Sequence, residues 1–93
     1  MKYTIITTSQ FKKDLKRCQK QGLNMRLIHD AINIFAATGT LPRKYKPHLL
    51  KGIYDGLWEC HIQPNWLMIW NKNEENLTLL FVQTGTHSDL FKK

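Results

Sequence analysis

Between Leu57 and Thr84 three strand-like runs follow one another almost without a break: Leu57 to Ile62, Trp66 to Asn71 and Leu77 to Thr84. Gln63-Pro64-Asn65-Trp66 supplies a short hairpin turn, with proline where its fixed φ suits the turn. Lys72-Asn73-Glu74-Glu75-Asn76 supplies a looser one. Connections this short force antiparallel pairing, because a parallel return needs a crossover of about a dozen residues or more.

Upstream the period changes. Lys2 to Thr8, rich in β-branched and aromatic residues, suits a first strand, and Ser9 then offers a helix N-cap. Phe11, Leu15 and Cys18 recur at helical spacing, with Lys12, Lys13, Lys16, Arg17 and Lys20 mostly on the other faces. Gly22 ends that helix and Asn24 can cap the next, whose buried stripe is Ile28, Ala31, Ile32 and Phe35 before Gly39 stops it. Residues 40–52 read as a loop in which Pro42 and Pro47 bracket Arg43, Lys44, Tyr45 and Lys46, with His48 next and Gly52 closing it. After Gly85, Thr86 can cap a last helical turn through Phe91, with Asp89 as a short-armed capping-box partner. The order β-α-α-β-β-β predicts an α+β fold: two N-terminal helices packed on one face of an antiparallel sheet, and a short C-terminal helical turn. A chain of 93 residues can bury one core, so residues 1–93 are expected to form a single domain.

Composition narrows the function classes. Apolar residues make up 42%, enough for a packed interior rather than a disordered chain. No long apolar core follows Lys2 as a signal peptide requires, and the longest apolar run, Trp66 to Trp70, is far too short to cross a bilayer. A cytoplasmic protein without a membrane partner is therefore expected. Cys18 and Cys60 are far apart and form no Cys-x-x-Cys pair, which suits buried thiols in a reducing compartment. Charge is uneven. Residues 1–51 hold eleven basic and two acidic side chains, a net of +9, while residues 52–93 hold three and five, a net of −2. A one-sided basic surface attracts polyanions by long-range steering and counterion release, so nucleic acid is the leading partner class and an acidic protein segment the next.

The chemistry-bearing residues are histidines. Side chains alternate across a strand, so Leu57, Glu59 and His61 share one face and Trp58, Cys60 and Ile62 the other. The second set is the more apolar and should lie under the helices, leaving Glu59 and His61 to look outward from an open face. The same alternation points Cys60 and His61 in opposite directions, so they cannot chelate one ion together. His87 and Phe91 lie four residues apart on one side of the terminal turn, and His48 sits on the basic loop feeding the first hairpin strand. If the strands pair in sequence order, His48, His61 and His87 converge on one cleft, while His29 reads as a surface or boundary residue of the second helix. Scattered surface imidazoles are the plain alternative, and a three-histidine zinc site has no support from spacing. General acid–base catalysis without metal or cofactor fits the residue types, because imidazole titrates near neutrality and can both take and give a proton. RNA brings its own 2′-hydroxyl nucleophile. Its cleavage needs a base, an acid and cations to stabilise the phosphorane, all of which histidines and a carboxylate beside a basic loop can supply.

Three motifs in order carry a resemblance: Tyr45-Lys46-x-His48-x-Leu50-x-Gly52, then Glu59-Cys60-His61-Ile62-x-Pro64-x-Trp66, then Thr84-Gly85-Thr86-His87-Ser88-x-Leu90-Phe91. The chain resembles the YafQ-type toxins of the RelE/ParE superfamily nearly end to end. The resemblance implies a RelE-like microbial ribonuclease fold and an endoribonuclease, an mRNA interferase, that cuts mRNA, commonly in the ribosomal A site. It also implies a cognate antitoxin, often with a ribbon-helix-helix DNA-binding part. Carried over by motif, His48, Glu59, His61 and His87 match the acid–base positions, and Phe91 matches the aromatic that helps order the substrate. Lys44, Lys46, Lys51 and Asn65 are the expected RNA-binding residues. Two departures stand out. Asn65 replaces an aspartate common in relatives and cannot serve as a base. Trp58 stands where relatives often carry arginine, which removes a phosphate-stabilising cation unless one of those lysines substitutes. Glu59 replaces the more frequent aspartate at the cost of one methylene of reach. Two other functions stay open on residues alone: a toxin of this fold that inhibits a protein such as DNA gyrase, and a decayed toxin that only binds its antitoxin.

Overall fold

The computed structural model describes residues 3–91. Along the chain run β1 (Thr4–Thr7), α1 (Ser9–Lys20), α2 (Met25–Thr38), a 3-10 turn (Arg43–Tyr45), β2 (His48–Leu49) and a second 3-10 turn (Gly52–Tyr54). They are followed by β3 (Trp58–Gln63), β4 (Trp66–Asn73), β5 (Thr78–Gly85) and α3 (His87–Phe91). The sheet order is β1-β5-β4-β3-β2. The three expected runs form β3, β4 and β5, paired antiparallel through the two expected turns.

Several local expectations need correction. Among the described strands β1 is the parallel member, with Thr4 opposite Thr78 and Thr7 opposite Phe81; the two helices carry the chain from β1 across to β2 at the opposite edge, and the antiparallel strands return it to β5 beside β1. Within the segment read as a loop, His48 and Leu49 pair with Glu59 and Trp58 and extend the sheet by a short strand. The cap of α1 is Thr8, not Ser9. Its hydroxyl accepts the Phe11 N–H at 2.9 Å and donates to the Val82 carbonyl at 2.7 Å, so one side chain caps the helix and ties it to β5. Lys2, at the head of the expected first strand, lies outside the described residues. The remaining helix signals act as expected. Asn24 Oδ1 accepts the Arg26 N–H, and Gly39 closes α2 at φ +78°, where a Cβ would overlap the Tyr3 ring.

Both helices cover one face of the sheet. Phe11 and Cys18 of α1 and Ile28, Ala31 and Phe35 of α2 pack on Cys60, Ile62, Trp66, Met68, Trp70, Leu79 and Phe81. Phe35 meets Trp70 edge-on at 4.9 Å between ring centroids. Each large apolar side chain buried this way contributes about 1.5–3 kcal/mol. Trp58 joins this layer, stacked on Trp70 at 6.2 Å.

The opposite face is not the open surface expected. Leu67 and Ile69, which pair with His61 and Glu59, are fully buried yet lie outside the helix-side core. Glu59 is buried too, at 6% exposure. The second 3-10 turn and α3 meet on this side: the Tyr54 hydroxyl donates to the Leu90 carbonyl at 3.4 Å, and its ring meets Phe91 edge-on at 5.6 Å. Among the described residues no helix is long and apolar enough to cross a membrane.

Candidate active site

His48 enters through β2, directly opposite Glu59 of β3. The preceding residue pair turns sharply, with Lys46 at φ +50°, which brings the Lys46 carbonyl within 3.1 Å of His48 Nδ1. A carbonyl can only accept, so Nδ1 carries a hydrogen. Nε2 lies 3.1 Å from Glu59 Oε1, so the buried carboxyl and the imidazole face each other across the β2–β3 pair.

His61 lies on β3 where the register with β4 shifts beside the hairpin, a bulge that re-aims the strand. Its Nδ1 reaches the Pro64 carbonyl at 3.3 Å. His87 opens α3, and its Nδ1 lies 2.8 Å from Asn65 Oδ1, which also accepts the His87 backbone N–H at 3.2 Å. Two donors converge on that atom, so it is the amide oxygen and His87 Nδ1 also carries a hydrogen. All three imidazoles thus donate through Nδ1 to an oxygen acceptor. Whenever either His61 or His87 is neutral, this tautomer leaves Nε2 as the lone-pair nitrogen.

The rings form a row. Centroids are 6.4 Å apart from His48 to His61, 6.2 Å from His61 to His87 and 6.3 Å from His87 to Phe91. The structure therefore brings together His48, Glu59, His61, Asn65, His87 and Phe91. Lys44 and Lys46 line a cavity of about 250 Å³ with His61 and Pro64, whereas Lys51 is exposed and does not line it. His29 is exposed on α2. Burial pushes the Cys18 and Cys60 thiols above their ordinary range, so neither is a ready nucleophile. Among the described residues, no three His, Cys, Asp or Glu side chains gather into a metal-binding group.

The support of α3 was missed in the sequence. A five-residue helix cannot hold itself, and this one has no buried residue. Its N-terminus is a capping box, Thr86 N–H to Asp89 Oδ2 at 3.1 Å and Asp89 N–H to Thr86 Oγ1 at 3.2 Å, as Thr86 and Asp89 predict. The anchor comes from α1. Arg17 bonds Asp14 at 2.7 Å and the Thr84 carbonyl at 2.7 Å, and its Nε lies 3.4 Å from Asp89. Buried Asp14 accepts the Thr84 N–H at 3.1 Å. Thr84 itself accepts the Trp66 indole N–H and donates to the Leu67 carbonyl. Burial works against the charged form of Asp89, but the Thr86 bonds and the Arg17 charge outweigh it and hold this carboxyl below its usual range. In the sequence Asp14 and Arg17 look like an ordinary exposed helix pair at three-residue spacing, and only their shared partner Thr84 distinguishes them.

A curated relative from Escherichia coli, the mRNA interferase toxin YafQ, is 33% identical over 85 residues, 90% of each chain. A crystal structure of a YafQ mutant from Escherichia coli superposes with a TM-score of 0.88 at 30% identity, over 96% of this chain and 98% of that one. A chain of the Escherichia coli DinJ–YafQ toxin–antitoxin complex matches with a TM-score of 0.85 at 32% identity, over 98% and 99%. With the site geometry agreeing with the motifs and residues 3–92 matching the family pattern, the chain belongs to the YafQ family of bacterial toxins of type II toxin–antitoxin systems.

Proposed function

We propose that this toxin is an endoribonuclease that cuts mRNA, in association with the ribosome, by histidine acid–base chemistry without a metal. The observation that carries this reading is the row of imidazoles whose Nδ1 atoms are all tied to oxygen acceptors, with Nε2 of His61 and His87 unengaged. One of these two nitrogens takes the 2′-hydroxyl proton as O2′ bonds to phosphorus. The P–O5′ bond breaks, and the departing oxygen takes its proton from Nε2 of the other ring, which enters the reaction as the imidazolium and leaves it neutral. The products are a 2′,3′-cyclic phosphate and a 5′-hydroxyl. The His48–Glu59 pair, Lys44 and Lys46 stabilise charge around the phosphate, and Phe91 stacks against the substrate. Asn65 holds His87 in the working tautomer, a task an amide oxygen performs without acting as a base.

The test is incubation of the purified chain with naked RNA and with translating ribosomes, mapping the ends. Cyclic-phosphate ends that vanish when the scissile ribose is 2′-deoxy are expected, and intact RNA in both arms overturns the reading. His87→Ala should lower the cleavage rate by about 10²–10⁴ while leaving the fold intact. The same reading places the toxin with ribosomes in the cytoplasm and gives it a cognate antitoxin of the ribbon-helix-helix type. An acidic antitoxin segment would lie on the basic N-terminal half, so the complex should weaken as salt rises, and salt-independent affinity would point to an apolar interface instead.

A further inference from the structure

A second cavity, of about 200 Å³, lies on the α2 side of His61 and is lined by Leu27, Asp30, Lys44, Tyr45, His61 and Ile62. Lys44 and His61 belong to both cavities, so the two form neighbouring subsites along the edge of β3. β2 covers that edge only as far as Glu59. Leu27, Tyr45 and Ile62 give the second cavity apolar walls, with Lys44 Nζ 5.2 Å from the Tyr45 ring centroid.

Asp30 is the unexpected member. Residues 1–51 contain only two carboxylates, Asp14 and Asp30. Asp14 is buried and fully engaged with Gln10, Arg17 and Thr84. Asp30 is exposed and has no ion-pair or hydrogen-bonded partner among the described residues. A carboxylate beside a phosphate-binding lysine repels an RNA backbone, so its usefulness there lies in accepting hydrogen bonds from a base. Guanine alone presents two adjacent donors, N1–H and N2–H, on its Watson–Crick edge. Adenine and cytosine each pair one donor with an acceptor, and the single donor of uracil is flanked by acceptors.

We infer that this cavity is a base-reading subsite for guanine, in which Asp30 accepts both edge hydrogens while Lys44 holds the adjoining phosphate. The inference rests on reading the imidazole row as an RNA site, and it assigns the base that the site selects beside the cut.

The experiment measures binding, so it does not depend on cleavage. Uncleavable 2′-O-methyl oligouridylates carrying one central guanine, adenine, cytosine or inosine are titrated against the full chain by fluorescence anisotropy. The guanine oligomer should bind about 5- to 100-fold tighter than plain oligouridylate, the range for a good bidentate base contact. Inosine, which lacks the 2-amino group, should lose much of that advantage. Asp30→Asn and Asp30→Ala should abolish it while leaving oligouridylate binding unchanged or slightly stronger. Equal binding of guanine and uridine by the unaltered chain, an equal response to guanine and inosine, or a guanine preference that survives both Asp30 variants overturns the inference. The inosine comparison needs no protein variant and so stands whatever the variants' stability. Cleavage without guanine preference would sink this subsite alone, whereas guanine binding through Asp30 with no cleavage would sink the nuclease reading.

Discussion

Replacing Asp14 with asparagine should disturb α3, four strands away in sequence, more than any change on the surface of α1. The Asp14 side chain is 3% exposed and spends both oxygens. Oδ1 accepts from Arg17 Nη1 at 2.7 Å and from Gln10 Nε2 at 2.9 Å, and Oδ2 accepts the Thr84 N–H at 3.1 Å. Asparagine offers one oxygen and one NH₂. With the oxygen kept towards Arg17, the NH₂ confronts the buried Thr84 N–H and leaves that donor unmet, at about 1–3 kcal/mol. The Arg17 bond also loses its charge assistance. Arg17 is 34% exposed, so solvent screening limits this second loss to about 1 kcal/mol or less. The total is about 1–4 kcal/mol, which in a domain of this size lowers Tm by about 5–30 °C. Urea unfolding followed by tryptophan fluorescence measures it directly, because Trp66 and Trp70 are buried. Gln10→Ala, which removes one bond at an exposed position, is the control and should cost less than about 1 kcal/mol. If Asp14→Asn stays within about 0.5 kcal/mol of that control, the account of α3 as a helix held from α1 is wrong.

Thr84→Val should cost about 2–4 kcal/mol by leaving the Trp66 indole N–H and the Leu67 carbonyl unmet, while Thr84→Ser should cost only about 1 kcal/mol for the lost methyl. Equal losses in calorimetry would rule out the hydrogen bonds as the cause. Asn65→Ala should lower the RNA cleavage rate by about 100-fold through misaligned His87, with Asn65→Asp, which keeps the acceptor, restoring most of it. An Asn65→Asp variant as inactive as Asn65→Ala would show that orientation is not the role of Asn65. Asp89 and Glu74 both titrate below their usual range in the folded chain, Glu74 through its bonds from Lys72 and Tyr3. Their folded values lie below their unfolded ones, so their stabilisation is complete above about pH 4–5 and is lost as pH falls through the folded values. Chemical unfolding between pH 5 and about 2.5 should show stability declining with acid, and Asp89→Asn should flatten part of that slope.

The parts of the fold that sequence revealed are those decided within a few residues. The alternation in Trp58-Glu59-Cys60-His61-Ile62 predicted which side chains lie under the helices, because one face had to be apolar. Asn24, Gly39 and the Thr86–Asp89 pair act as the caps their chemistry suggests. The convergence of His48, His61 and His87 followed from assuming sequential strand pairing, and the ring separations agree with it. What escaped notice depends on segments remote in the chain. The parallel partnership of β1 with β5 is invisible in Thr4–Thr7, and β2 is too short for any periodicity. Glu59 was expected at an open surface because nothing in its own strand shows that Tyr54 and α3 close over that side. Thr8 and Ser9 are equally good caps locally, and the Val82 carbonyl decides between them.

The parallel β1–β5 pair and the Arg17 link to Thr84 and Asp89 join segments far apart in the sequence. During synthesis the first strand and first helix leave the ribosome long before their partners exist, so neither contact can form until β5 and the residues that follow it have emerged from the exit tunnel. His87 opens the helix directly after β5. A nascent copy of this toxin therefore lacks its assembled histidine row until that helix has emerged and docked.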